Sequence, residues 1–201
     1  MKPLTEPRVS VPEDPAIAQL SFFRKVKFTW VGKNCLLGVD NQGKYGICWA
    51  YASTEAITAA YICYLEGGGD PTFKAAVGRL FQKGKFIKIK RFDVVWKKHN
   101  GLGINNMKRI EKAIEQQPLT CTIPYTRSGK KVYMGLTEKE KKIAARETQP
   151  KLHAILIVGY GKERGVEFYV AKNTYGKKWG YRGFGKIVRS LVIDLVCPII
   201  E

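Results

Sequence analysis

The strongest constraint on the fold is a run of small and apolar residues at positions 48–65, CWAYASTEAITAAYICYL. Small or apolar side chains recur within it at near-helical spacing: Cys48, Ala52, Ala56, Ala59 and Cys63. Such a stripe is typical of a helix packed against the rest of the protein, and the glycine triplet at 67–69 is a common way to end one. We therefore predict a buried helix with Cys48 in its first turn.

Periodicity in the rest of the chain predicts one more helix and then a series of strands. Residues 107–117, MKRIEKAIEQQ, place apolar side chains on one helical stripe, and Pro118 ends the pattern. Strand-like runs then follow between glycine-containing and charged turns: LTCTI, AILIVGYG, VEFYVAKN and FGKIVRS. The chain up to about Val39 is predicted to be mostly loop. The first half is therefore largely helical and the second largely β, which predicts an α+β fold.

The size and apolar content allow a folded protein. With 201 residues, of which 45% are apolar, the chain is long enough for one domain with a core or for two small lobes that share a cleft. No apolar run approaches the roughly 18 to 20 residues that a membrane-spanning helix needs. The first residues, MKPLTEPRVSVPEDP, are polar and proline-rich and lack the apolar region of a signal peptide. We expect a soluble chain with no membrane span and no secretion signal.

The chain is strongly basic, since 35 Lys and Arg against 17 Asp and Glu leave a net charge of +18. This balance favours acidic partners, polyanions or anionic surfaces. The basic residues are spread through several segments with no nucleic-acid motif around them, which favours solvated faces over a nucleic-acid site. We therefore expect no specific nucleic-acid partner.

The cysteine count limits metal and disulfide chemistry. The five cysteines are an odd number with no CxxC pair, which argues against a zinc site and a fully paired disulfide framework. Only two histidines are present, so a His-rich metal site is not expected either. We predict at least one free thiol, no metal site and no cofactor.

Cys48 has the surroundings that a nucleophilic thiol needs. At a helix start it meets the positive end of the helix dipole and unpaired N–H groups, which stabilise a thiolate. For the base we favour His153, which opens the apolar strand HAILIVGYG, over His99, which lies in the polar stretch WKKHNGLG. Asn173 offers an amide oxygen to orient the imidazole. Gln42 offers a side-chain donor for an oxyanion, together with the backbone N–H of Cys48.

Taken together, these stretches resemble the papain-like cysteine proteases. In that family a glutamine, a Gly-x-Cys-Trp-Ala helix start, a His-Ala strand and an Asn-x-aromatic-Gly turn occur in this order. Here they stand as NQGKYGICWAY, LHAILIVGYG and KNTYGKKWGYRGFGKI, and the likeness runs from about Trp30 to Ile187. The resemblance implies an α+β, papain-like two-lobe fold. Its N-terminal lobe would be helical, its C-terminal lobe an antiparallel β-barrel-like sheet, and the active site would lie in the cleft between them.

The resemblance also implies a role for each matched residue. Cys48 would be the nucleophile and His153 the general base and acid, while Asn173 would orient the ring and Gln42 would donate to the oxyanion. Seven further residues are expected at or near the site: Gly68 and Gly69 against the substrate main chain, Thr122 and Ala154 in the pocket for the side chain two residues before the cut, and Tyr175, Trp179 and Trp49 as structural neighbours.

Several positions depart from the family pattern. Tyr45 stands where the family usually has a cysteine, so the disulfide beside the nucleophile's loop is not expected. Tyr175 replaces the tryptophan that normally covers the Asn–His hydrogen bond, and Leu152 replaces the usual Asp or Asn before the histidine. The segment between Cys48 and the glycine pair is also shorter than in the family. The chain is therefore expected to be a shortened or diverged member.

The resemblance predicts how the chain is divided. Residues 1–25 are expected to be a poorly ordered N-terminal extension, and residues 26–201 the peptidase domain. Within that domain, the helical lobe is expected at about 40–106 and the β lobe at about 107–201.

Two functions of different classes fit these features. One is a monomeric cysteine endopeptidase that hydrolyses peptide or protein substrates through a Cys48 acyl-enzyme. The other is a catalytically weak homologue whose cleft binds peptides or partners without efficient turnover. We favour the enzyme because all four chemical groups are present, and nucleic-acid binding through the net charge is a third, weaker alternative. The resemblance implies the vacuole or lysosome or the extracellular space, with the cytoplasm as the alternative compartment.

Overall fold

The computed structural model describes residues 21–33, 35–66, 89–101, 103–124, 132–133 and 152–200. Two α-helices lie in these ranges: α1 (Cys48–Glu66) and α2 (Ile104–Gln116). The strands are β1 (Val26–Thr29), β2 (Ile89–Lys97), β3 (Leu119–Pro124), β4 (Val132–Tyr133), β5 (Leu152–Glu163), β6 (Val166–Lys172), β7 (Phe184–Val188) and β8 (Asp194–Ile200). Short 3-10 turns occupy Ser21–Phe23, Lys98–Asn100 and Arg189–Leu191.

The strands form one sheet, in the order β2-β8-β3-β5-β6-β7-β4, with β1 added beside β5. All pairings are antiparallel except that of β4 with β7, which is parallel. The α+β class is confirmed. The predicted barrel-like closure is not seen among the described strands, because β2 pairs along the outer edge of β8 and β4 ends the other side of the sheet.

Strand β5 is the centre of the sheet and is buried along most of its length. It pairs with β3 on one side and β6 on the other, and β1 joins it near its C-terminal end. At that point the backbone of β1 comes so close that a Cβ on Gly159 would lie 2.4 Å from the carbonyl oxygen of Phe28. Glycine is therefore required for this approach.

The helices pack on the sheet through different kinds of side chain. In α2, Ile110 and Ile114 are fully buried on one stripe, as the periodicity predicts. In α1 the buried positions include Ala52, Ala56 and Ala59, whose small side chains allow the helix to lie close to its neighbours. Because α1 contacts β5, β8 and β3, the residue at its first position is held next to the middle of the sheet.

Four strands were not predicted from the sequence: β1, β2, β4 and β8. The chain before Val39 contains β1, although it was expected to be mostly loop, and its neighbour Trp30 donates its indole N–H to the carbonyl of Ile114 at 2.6 Å. Strands β2 and β8 pair with each other. Strand β2 falls in the segment expected to form the helical lobe, yet it is part of the sheet. The lobe boundaries stay a prediction.

Among the described residues, four cysteines are not in disulfides: Cys35, Cys48, Cys121 and Cys197. The side chain of Cys63 lies outside the described part of the chain. At least one free thiol was predicted, and Cys48 is one of them. In the ranges that the structure describes, no helix has both the length and the apolar character needed to cross a membrane.

Candidate active site

Cys48 is the first residue of α1, where the sequence predicted it. Its side chain is partly exposed, and the backbone N–H of Ala154 donates to its Sγ at 3.4 Å. The first turn of α1 contains no acidic residue. Cys48 lies at the positive end of the helix dipole. The thiol is thus accessible and next to the strand that carries His153.

His153 is the second residue of β5 and is only 2% exposed. Its Nε2 lies 2.8 Å from Oδ1 of Asn173, which also accepts the backbone N–H of Thr174 at 2.7 Å. Because Oδ1 of Asn173 is an acceptor, the hydrogen bond to it requires a proton on Nε2 of His153. In the neutral ring, Nδ1 therefore carries the lone pair. Burial lowers the pKa of His153, and the hydrogen bond to Asn173 opposes that shift. The neutral ring is therefore the favoured form, with Nδ1 able to accept a proton.

Tyr175 covers the imidazole. Its ring stacks on that of His153, with 4.6 Å between centroids and 21° between planes, and its hydroxyl lies 3.4 Å from Nδ1. Trp179 is buried nearby and lines the same cavity as His153. Tyr175 therefore packs on the imidazole, and its hydroxyl adds a polar contact at Nδ1.

Gln42 is buried in the loop that leads into α1. Its backbone and its side chain both form hydrogen bonds to Thr174, in the turn after β6. Its backbone N–H donates to the carbonyl of Thr174 at 2.8 Å, and its Oε1 accepts from the hydroxyl of Thr174. Its Nε2 donates to the carbonyl of Tyr45 at 2.7 Å. That nitrogen carries two protons, so one remains for a further acceptor. The loop before α1 and the turn that carries Asn173 are thus joined.

A buried ion pair, not predicted from the sequence, makes a second connection. The ammonium of Lys172 pairs with the carboxylate of Glu55, and both side chains are almost fully buried. Glu55 lies two turns after Cys48 in α1, and Lys172 immediately precedes Asn173. A carboxylate among the small residues of α1 was the available signal, but its partner is 117 positions away. The pair fixes the helix that carries Cys48 against the strand that leads to Asn173.

A cavity of about 680 Å³ brings these groups together. Cys48, His153 and Gln42 all line it, with Tyr175 and Trp179. The cavity also includes loop residues 41–46, Leu152 and Lys178. A thiol, an imidazole and a primary amide therefore share one cavity, while Asn173 lies behind the imidazole. This set of groups can attack a carbonyl, move a proton and donate to an oxyanion.

Other residues singled out in the sequence lie elsewhere. Thr122 and Ala154 face each other across β3 and β5, and neither lines the cavity. Trp49 is 64% exposed. His99 is exposed in the 3-10 turn Lys98–Asn100, away from the cavity that Cys48 lines. Gly68 and Gly69 lie outside the described residues.

Comparison with known proteins supports the same assignment. The sequence model of the papain family of cysteine proteases matches residues 79–199. This range contains His153 and Asn173 but not Cys48. A low-temperature-induced cysteine proteinase of Solanum lycopersicum is 23% identical over 202 residues, which cover 81% of this chain and 56% of the relative. Peptidase 1 of Dermatophagoides pteronyssinus is 23% identical over 187 residues, with 77% and 58% covered.

The solved structures agree on the fold. The bromelain protease of Ananas comosus superposes with a TM-score of 0.60 at 18% identity, covering 87% of this chain and 98% of that one. The chain spans somewhat more than half the length of the two curated relatives. Because the family model matches more than half of the chain and the fold agrees, the chain belongs to the papain family of cysteine proteases.

Proposed function

We propose that this chain is a cysteine endopeptidase that hydrolyses peptide bonds through an acyl-enzyme on Cys48. The observation that carries the proposal is the shared cavity. Cys48, at the start of α1, lines it with His153, whose ring is held by Asn173 at 2.8 Å. A buried structural thiol does not need an oriented imidazole beside it.

In the first step, Sγ of Cys48 attacks the carbonyl carbon of the scissile peptide bond. The thiol proton passes to Nδ1 of His153, and the negative charge moves to the carbonyl oxygen. The free proton of Gln42 Nε2 and the backbone N–H of Cys48 donate to that oxyanion. The tetrahedral intermediate then collapses, the C–N bond breaks, and His153 gives its proton to the leaving amine.

In the second step, water replaces the amine. Neutral His153 takes a proton from the water as its oxygen attacks the thioester carbon. Collapse of this second intermediate breaks the C–S bond and releases the carboxylic acid, and the proton on His153 returns to Sγ. In both steps Asn173 holds the ring so that Nδ1, not Nε2, is the nitrogen that exchanges protons.

Substrate binding before the cut is assigned to the residues that the resemblance named. We propose that Thr122 and Ala154 line the pocket for the side chain two residues before the scissile bond. Their support is the hydrogen bond from Ala154 N–H to Cys48 Sγ, which puts this pair beside the nucleophile. Gly68 and Gly69 are proposed to bind the substrate main chain. A monomeric state and a vacuolar, lysosomal or extracellular location also stay predictions.

The proposal is tested by a cleavage assay on a fluorogenic peptide library, with the Cys48→Ala variant as the matched control. We expect turnover by the wild-type chain, no turnover by the variant, and one reactive thiol per chain in an active-site titration. Peptide binding without cleavage by the wild type would instead support the catalytically weak homologue. Cleavage by the Cys48→Ala variant would remove Cys48 from the mechanism.

A further inference from the structure

The charged residues described in the lining of the cavity beside Cys48 are both lysines. Its lining includes Lys44, from the loop before α1, and Lys178, from the turn after Asn173, and both side chains are exposed. None of the described residues that line this cavity is Asp or Glu. Within the described part of the chain, neither ammonium group pairs with a carboxylate. The described lining therefore presents two cations and no carboxylate.

The chemistry of peptide cleavage indicates which part of a substrate enters this cavity. The leaving amine takes its proton from His153, so the segment after the scissile bond must lie on the imidazole side of Cys48. The neighbours of the imidazole on that side, Leu152, Tyr175 and Trp179, all line the cavity. Thr122 and Ala154, assigned above to the segment before the cut, do not. The cavity is thus placed to receive the leaving segment.

We propose that this cavity selects substrates with an acidic side chain, Asp or Glu, in the first two positions after the scissile bond, an inference that rests on the peptidase function proposed above. Lys44, from the loop before α1, and Lys178, from the turn after Asn173, both line the cavity and attract the substrate carboxylate. Leu152, which is 49% exposed, adds apolar contact and carries no negative charge that would repel an acidic substrate.

The test uses two quenched fluorescent peptides that differ only in having Glu or Gln at both positions after the scissile bond. Because the lysines are exposed, we expect a modest preference, with kcat/KM about three- to tenfold higher for the Glu peptide at low salt. The ratio should fall toward one as NaCl rises to about 0.5 M, since salt screens exposed charges. The double variant Lys44→Gln/Lys178→Gln should also bring it to about one. Lys177→Gln is the matched control, because Lys177 is exposed but lines a different cavity, and it should keep the ratio.

Two further measurements separate this inference from the peptidase proposal. A peptide with a fluorogenic amide dye as leaving group has no residue after the cut, so it reports the chemistry alone. If that substrate is cleaved but the wild type shows a Glu-to-Gln ratio near one, or if the ratio survives in the double variant, the inference is wrong and the peptidase proposal stands.

If nothing is cleaved, the peptidase proposal fails, and binding decides the inference. The two quenched peptides would then be titrated against the Cys48→Ala variant by calorimetry. Tighter binding of the Glu peptide that depends on Lys44 and Lys178 supports an acid-selective cavity. Equal affinities overturn it.

Discussion

The candidate site has two halves that are held in different ways. The histidine half consists of His153, Asn173, Tyr175 and Trp179, on β5 and on the turn after β6. It is mostly buried, His153 contacts both Asn173 and Tyr175, and the family model covers it. The cysteine half consists of residues 41–48. It is more exposed, with Tyr45 63% and Ile47 40% accessible, and it lies outside the matched range. The sheet thus builds the base, whereas the nucleophile depends on its attachment to that sheet.

Three sets of contacts attach the nucleophile to the end of β6 and the turn that follows. Thr174 binds Gln42 through its carbonyl and its hydroxyl, and the backbone N–H of Gly176 donates to the carbonyl of Asp40 at 2.9 Å. The third set is the Lys172–Glu55 pair. Two of the three connect to residues within one position of Asn173. The turn after β6 therefore positions both the imidazole and the loop before Cys48, and changes there are expected to affect both halves together.

The largest expected effect comes from breaking the buried pair. Glu55→Ala leaves the Lys172 ammonium buried without its partner, which should lower the free energy of unfolding by about 3–5 kcal/mol. The double variant Glu55→Met/Lys172→Met removes both charges and should recover most of the loss. Urea unfolding of each variant measures the difference.

The control for this prediction is the exposed pair of Arg91 with Asp93, in which both side chains are about half accessible. Arg91→Ala should cost less than about 1 kcal/mol, because exposed pairs are screened by water. An equal loss in Glu55→Ala and Arg91→Ala would show that the buried pair does not join the two halves.

The next largest effect is expected from removal of the oxyanion donor in the cysteine half. Gln42→Ala removes the side-chain oxyanion donor, so kcat should fall by about 100- to 1,000-fold with little change in KM. Thr174→Val keeps the Gln42 amide but removes the hydroxyl that holds its Oε1, and it should lower kcat by a smaller factor. An unchanged kcat in Gln42→Ala would remove Gln42 from the site.

A smaller effect is expected from the hydroxyl of Tyr175 in the histidine half. Its hydroxyl lies 3.4 Å from Nδ1, which carries the lone pair in the tautomer assigned above. Burial lowers the pKa of His153, and we expect an O–H that donates to Nδ1 to act in the same direction, because it stabilises the neutral imidazole. Tyr175→Phe keeps the stacked ring and removes that donor. The acid limb of kcat/KM against pH should therefore move to higher pH, by less than about one unit for a single long hydrogen bond. A limb that stays in place or moves to lower pH would show that the hydroxyl does not act on Nδ1.

The sequence predicts the elements whose pattern is local. The stripes in α1 and α2 have helical spacing, β3 alternates between buried and half-buried side chains, and β5, β6 and β7 are continuous buried runs. Strands β2 and β8 lack that signal. Strand β2 has mostly exposed side chains before Val95, and β8 contains Pro198, which cannot donate to a strand ladder. Strand β8 forms between β3 and β2, and β2 pairs with β8 at the edge of the sheet. No single segment reveals these pairings.

The site follows the same rule. Cys48, His153, Asn173 and Gln42 were predicted because each lies at the end of a recognisable element, and the order of the elements matches a family. The Lys172–Glu55 pair and the contacts of Thr174 depend on residues more than a hundred positions apart. Only the folded chain brings them together.

The most direct test of the account is the reactivity of Cys48 itself. Folded protein would be labelled with iodoacetamide at about pH 5 to 6 and the modified cysteines mapped by mass spectrometry. Cys48 is partly exposed at the start of α1, at the positive end of the helix dipole, and it shares a cavity with His153, so it should be the most reactive of the described thiols. Burial raises the pKa of Cys121 and of Cys197, so both should stay slow. We expect Cys48 to be labelled first, and His153→Ala to abolish that selectivity. If Cys48 in the folded chain reacts no faster than Cys35 or Cys197, it is not the nucleophile, and the peptide-binding homologue is the better account.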